Sequence, residues 1–259
     1  MIRKIFIAAA TATTLALPVV ALAEDSAYTI TGNVGLFSQY VFRGITQTNE
    51  ESAVQGGFDV THSSGLYAGL WGSNISWISD FEQSDGGNSL ELDLYAGYRN
   101  SIGETGIGYD LGGIYYWYPG DTLNDFNPDS AEIYGALTYK WAGAKISYSL
   151  NNYFGYEGNT ASSDSSGTLY YDLYANIPVA ETGVTVNLHY GILNVSHDLD
   201  SPSQVSYNDW KIAATYALPR SFTVGAYFTS TDADKGFYTT PAGKDTSANE
   251  FVVSISKTL

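Results

Sequence analysis

Arg43 is the single basic residue in an aromatic stretch, SQYVFRGITQT (38–48), of a chain that carries eleven Lys and Arg against 27 Asp and Glu. A lone guanidinium among so many carboxylates is suited to pairing with them, and where it points depends on the solvent that each side of its strand faces. The other side chains able to do chemistry are few. His62, His189 and His197 are the only histidines, and there is no cysteine. His197 stands beside Asp198 and Asp200, an arrangement that suits a weak metal site or a proton shuttle. His189 shares the parity of Thr185 and Asn187, which suits a hydrogen-bonded interior residue. No serine lies in a G-x-S-x-G motif, so a hydrolase lacks its nucleophile, and no catalytic residue is assigned. TDADKG (231–236) begins like a calcium loop with Asp232, Asp234 and Gly236, but the later ligands and the closing glutamate are missing. Neither a metal nor a cofactor is therefore expected.

The elements that would position these groups begin after an export signal. Met1–Lys4 is basic, Ile5–Val20 is apolar and small, and Ala21-Leu22-Ala23 fits the A-x-A cleavage pattern. Residues 1–23 read as a removed signal peptide and 24–259 as one domain. Loss of Arg3 and Lys4 takes the eleven basic residues to nine against 27 acidic ones, a net charge of −18. Such acidity excludes a nucleic-acid partner, which requires a basic surface. Without cysteine there is no disulfide scaffold, thiolate metal site or lipid anchor on cysteine. Beyond the signal no stretch approaches the roughly 20 apolar residues of a spanning helix.

The mature chain is dominated by period-two alternation. In LELDLYAGY (90–98), Leu90, Leu92, Leu94, Ala96 and Tyr98 take one face, and Glu91, Asp93, Tyr95 and Gly97 the other. Twelve such strands are predicted near 28–42, 53–61, 66–75, 89–98, 107–118, 131–139, 143–150, 168–176, 183–193, 208–217, 222–230 and 249–258. Connections after odd strands are long and polar, and those after even strands are short. Outer loops and periplasmic turns of a transmembrane antiparallel up-and-down β-barrel alternate in this way. About fifteen Asp and Glu fall in the long loops, and only Glu104 and Glu181 in the short turns. The apolar faces would place Phe42, Trp117, Tyr171, Trp210, Phe228 and Phe251 at the outer lipid interface. Tyr98, Tyr139, Tyr216 and Phe222 would lie at the periplasmic one. Phe251, Val253 and Ile255 give the last strand the register of a closing strand, interrupted by Lys257 and ending on Leu259 where an aromatic is typical.

The stretches SQYVFRGITQT (38–48), VQGGFDVTHSSGLYAGLWGSN (54–74), ELDLYAGY (91–98), YDLGGIYYWYPG (109–120) and EIYGALTY (132–139) resemble the TorF family of porin-like proteobacterial outer-membrane proteins. The resemblance is strongest over the first half of the mature chain. It implies an outer-membrane location and a porin role, and it carries no catalytic residues.

With Tyr40 and Phe42 facing lipid, parity turns Arg43 inward at the outer rim, as counter-ion to a mostly acidic interior. The expected pore-lining set is Arg43, Asp59, Glu91, Asp93, Asp110, Glu132, Lys145, Asp172, Asp209 and Lys211. Such an interior has two readings. One is a passive, mildly cation-selective channel for small hydrophilic solutes, with outer-membrane lipid and lipopolysaccharide as its surroundings. The other is a barrel plugged by its own side chains, whose acidic loops serve surface interaction or envelope structure.

Overall fold

The computed structural model describes residues 27–82, 88–120, 127–157, 164–198 and 204–259; the predicted signal, 1–23, lies outside them. The described residues form a closed antiparallel barrel of twelve strands. These are β1 (Tyr28–Phe37), β4 (Ala53–His62), β5 (Leu66–Asn74), β6 (Leu90–Ser101), β7 (Ile107–Trp117), β8 (Ser130–Tyr139), β9 (Ala142–Ser149), β10 (Leu169–Val179), β11 (Val184–Asn194), β12 (Tyr207–Leu218), β13 (Phe222–Thr231) and β14 (Glu250–Thr258). Each wall strand pairs with the next along the chain. The seam closes where β1 meets β14, from Asn33 opposite Thr258 to Phe37 opposite Ser254. Closure leaves no free edge, so the ladder bonds are made within the wall.

The alternation read from the sequence sets the two faces. On β14, Phe251, Val253 and Ile255 are exposed outward, whereas Glu250 and Val252 are buried inside. On β8, Ile133, Leu137 and Tyr139 face out, and Ser130 and Glu132 face in. The exposed large side chains of the other wall strands are likewise Leu, Ile, Val and aromatic residues, a surface suited to hydrocarbon and costly in water at about 25 cal/mol per Å². Trp117, Trp210, Phe228 and Phe251 are exposed at the long-loop end, and Tyr139 and Tyr216 at the short-turn end, as the aromatic belts require. Tyr98, Tyr171 and Phe222 are half-buried.

The predicted first strand is wrong at its end. It stops at Phe37, and residues 38–48 turn inward instead of extending the wall. There β2 (Val41–Phe42) and β3 (Ile45–Thr46) make a separate two-stranded hairpin, with Phe42 opposite Ile45 across the turn Arg43-Gly44. Both turn residues have positive φ, 47° and 80°, the geometry of a type I′ hairpin, which Gly44 adopts without steric cost. Tyr40 and Phe42 thus pack inside, not against lipid. Inward burial is offset by hydrogen bonds to several of its polar groups. The Tyr40 N–H donates to Thr48 Oγ1 (3.0 Å), the Gln47 N–H to the Tyr40 carbonyl (2.8 Å), and Gln39 Nε2 to Glu250 Oε2 (2.6 Å).

The hairpin divides the filling of the long-loop end into two apolar clusters. Tyr40 packs with Ile75, Ile78, Ile114, Tyr116, Tyr118 and Val252. Ile45 packs with Tyr153, Tyr170, Leu193, Val195, Val205 and Tyr207. Ile78 comes from a short helix, α1 (Trp77–Glu82), in the loop after β5; at six residues it is too short for helical periodicity to announce it in the sequence.

Toward the short-turn end the interior is packed by a different rule. Tyr95 lies directly opposite Gly69, Tyr67 opposite Gly97, Tyr134 opposite Gly112 and Tyr174 opposite Gly143. Each ring covers the space that a Cβ on the facing glycine would occupy. Gly69→Ala is therefore expected to destabilise the barrel by about 1–3 kcal/mol through overlap with the Tyr95 ring. Gly113→Ala, on the lipid face with ordinary contacts, should leave urea unfolding from lipid vesicles unchanged.

Candidate pore and its constriction

Arg43, at the hairpin tip, reaches the opposite wall. Its Nη1 and Nη2 donate to Glu132 Oε1 and Oε2 at 2.9 and 2.8 Å, a two-pronged pair, and Nη1 also reaches Tyr153 Oη at 3.2 Å. The guanidinium carbon stands 4.1 Å from the centre of the Tyr170 ring and 4.8 Å from that of Phe42. The Tyr207 hydroxyl donates to the Arg43 carbonyl at 2.8 Å. Both charged side chains are enclosed, 7% and 2% exposed, so this pair is largely unscreened by water. Arg43 has a carboxylate partner inside the barrel, but not by the wall-strand parity expected from the sequence: the hairpin carries it, together with the inward Tyr40 and Phe42.

The remaining predicted residues point into the barrel at two levels. Near the hairpin, Glu91 and Asp93 are buried on β6, and the Tyr40 hydroxyl donates to Glu91 Oε1 at 3.0 Å. Asp209 on β12 accepts from Tyr170 Oη at 2.8 Å. His189 lies between two carboxylates, Nδ1 2.8 Å from Asp172 and Nε2 2.7 Å from Asp209, so both ring nitrogens are occupied as for an interior bridge. Further toward the short turns, Asp59 accepts from Tyr95 Oη (2.7 Å) and Asp110 from Tyr67 Oη (2.6 Å), which also meets Tyr134 Oη at 2.5 Å. Lys145 lies opposite Asp172 and puts its ammonium 3.9 Å from the Tyr134 ring centre; Lys211 sits 5.4 Å from that of Tyr227.

Several inward residues lie outside the set expected from the sequence. The pattern there puts Arg99 in a short turn, but β6 runs to Ser101, and Arg99 continues the inward series Glu91, Asp93, Tyr95, Gly97. It stacks 4.5 Å from the Tyr67 ring centre and donates to Thr61 Oγ1 at 3.1 Å. The same parity marks Glu250. The seating of inward tyrosines on glycines is also outside that set, and its signal is the glycine across the ladder.

The loop candidates are engaged locally. His197 Nδ1 is 2.8 Å from the Asp164 carbonyl, Asp198 accepts from the Val205 and Ser206 N–H groups, Asp232 accepts from the backbone and side-chain N–H of Asn208 on β12, and Asp234 accepts from the Gly236 N–H in its own turn. Asp200 lies outside the described residues. At Asp245, burial pushes the carboxyl upward, but Lys235 at 2.9 Å and Ser247 outweigh it and hold the group below the usual carboxylate range. Among the described residues, no three His, Cys, Asp or Glu converge as a metal site.

A closed meander with an apolar outside, a charged inside, long loops at one end and short turns at the other is the architecture of outer-membrane porin barrels. The chain belongs to the Gcw_chp family, described as a bacterial protein of unknown function, whose model matches residues 21–259. That is the family shown, in place of the TorF name that the motifs suggested. No curated protein matches the chain. Among solved structures, the NanC porin is similar with a TM-score of 0.54 at 10% identity, over 89% of this chain and 100% of that one. The KdgM porin is similar with a TM-score of 0.53 at 6% identity, over 88% and 98%. An outer-membrane channel from Pseudomonas putida F1 gives 0.50 at 9% identity, over 91% and 96%. At such identities the likeness is one of fold.

Arg43→Ala would leave Glu132 buried without its cation, and a cost of about 3–5 kcal/mol is expected in urea unfolding from lipid vesicles. Adding Glu132→Gln to that variant should recover part of the loss, because the stranded charge is then removed.

Proposed function

We propose that the protein is an outer-membrane channel for small hydrophilic solutes that favours cations. The observation that carries this reading is the contrast between faces, an apolar exterior around an interior lined by carboxylates. Seven of the ten predicted pore-lining residues are acidic: Asp59, Glu91, Asp93, Asp110, Glu132, Asp172 and Asp209, against Arg43, Lys145 and Lys211. A path lined this way concentrates cations. The TorF-like motifs and the fold shared with porins support the same assignment. The acidic long loops would add a negative outer mouth facing lipopolysaccharide.

A specific observation favours the second reading, a plugged barrel serving surface interaction or envelope structure. The hairpin and its two apolar clusters fill the long-loop end. Planar-bilayer recording across a salt gradient separates the two. A channel is expected to give discrete steps with a cation-side reversal potential, weakened by Asp59→Asn with Asp110→Asn. Silence from protein shown to be folded by heat-modifiable gel mobility would favour the plug.

A further inference from the structure

We propose that the hairpin β2–β3 is a gate, and that the cage holding Arg43 is a site for a solute bearing a guanidinium group, whose binding releases the hairpin. The proposal deepens the channel reading and rests on it. The cage is built for such a cation. Glu132 offers both carboxylate oxygens in a plane, Tyr153 offers its hydroxyl, and Tyr170 offers a ring face at 4.1 Å. All three contacts go to the guanidinium itself, so a free one of the same shape could make them. In the closed state the protein's own side chain is the occupant.

Charge makes the exchange specific. Glu132 is buried, and withdrawing Arg43 strands its carboxylate unless another cation takes its place. The groups facing the cage from neighbouring elements reinforce this demand: Asp93 and Glu91 from β6 and Asp209 from β12 are acidic, and Lys145 from β9 is the nearby base. The tyrosines Tyr116, Tyr153 and Tyr170 complete the wall. An anion cannot substitute there, and a spherical alkali ion lacks the planar donor fork that matches Glu132. Because Arg43 fills the site when the hairpin is in, a solute binds there only with the hairpin displaced. Its whole binding free energy therefore favours the open state.

The hairpin is also able to leave as a unit. Its ladder is separate from the wall, so its departure breaks no barrel pairing. Backbone contacts of its β3 side to other loops are few: Thr46 N–H to the Thr246 carbonyl, and Ser76 and Trp77 N–H to the Gln47 carbonyl. Asn49 and Glu50, where it rejoins the wall, both hold positive φ, 52° and 66°. Such a backbone is uncommon for residues other than glycine and is held only by its surroundings.

The absence of native cysteine permits a direct test. Ile45→Cys places a thiol on the buried hairpin, and its rate of modification by a small neutral methanethiosulfonate is measured on folded protein in lipid vesicles. Methylguanidinium at millimolar concentration is expected to raise that rate by about tenfold over potassium at equal ionic strength. Adding Glu132→Gln should abolish the difference. Thr46→Cys serves as the second reporter if Ile45→Cys does not fold. A rate indifferent to methylguanidinium in the folded reporter overturns the proposal. Bilayer recording on the same preparations keeps the two readings apart. Solute-dependent labelling with a silent bilayer sinks the channel but not the gate, and conduction with solute-independent labelling sinks the gate but not the channel.

Discussion

The structure depends first on one constraint, that a strand whose outer face meets hydrocarbon must find every backbone partner within the protein. The β1–β14 seam is where this constraint is met last in the sequence and matters most, because an open barrel would present two unpaired edges. Closure fixes the parity of every strand, and parity in turn sends Glu91, Asp93, Glu132 and Asp209 to the inside. The charged interior is thus a consequence of the apolar exterior, with no separate device needed to produce it.

Twelve strands enclose more space than their own inward side chains fill at the long-loop end, and the two ends solve this differently. Toward the short turns, tyrosine rings lie over facing glycines and their hydroxyls satisfy Asp59 and Asp110. Toward the long loops, a piece of backbone enters. Inserting backbone carries the obligation of pairing its polar groups, which the hairpin meets in part by its own ladder and by the Thr48 and Gln47 side chains. It also lets a cation be delivered to Glu132 from a segment that does not belong to the wall.

That delivery ties stability to function. A wall residue paired with Glu132 would stay in place as long as the barrel stood, whereas Arg43 sits on a two-stranded element that is not part of the wall. Bidentate hydrogen bonding, ring stacking and the Tyr207 bond to its carbonyl act on one residue.

Much of this was legible in the sequence. Hydrophobic alternation determined the twelve wall strands, the inward parity of the acidic residues and the outward aromatic belts, because the period of a strand is two whatever its partners are. It turned Arg43 inward only by taking Tyr40 and Phe42 to face lipid, a premise that the hairpin overturns. It could not tell that Tyr40 and Phe42 face inward, since alternation reads the same in a wall strand and in a hairpin folded inside it. The residues that decide the matter, Glu132, Tyr153 and Tyr207, lie 89, 110 and 164 residues along the chain from Arg43. Only closure of the barrel brings them within reach of the hairpin tip, because local periodicity specifies which face a side chain takes and carries no information about which distant side chain it will meet there.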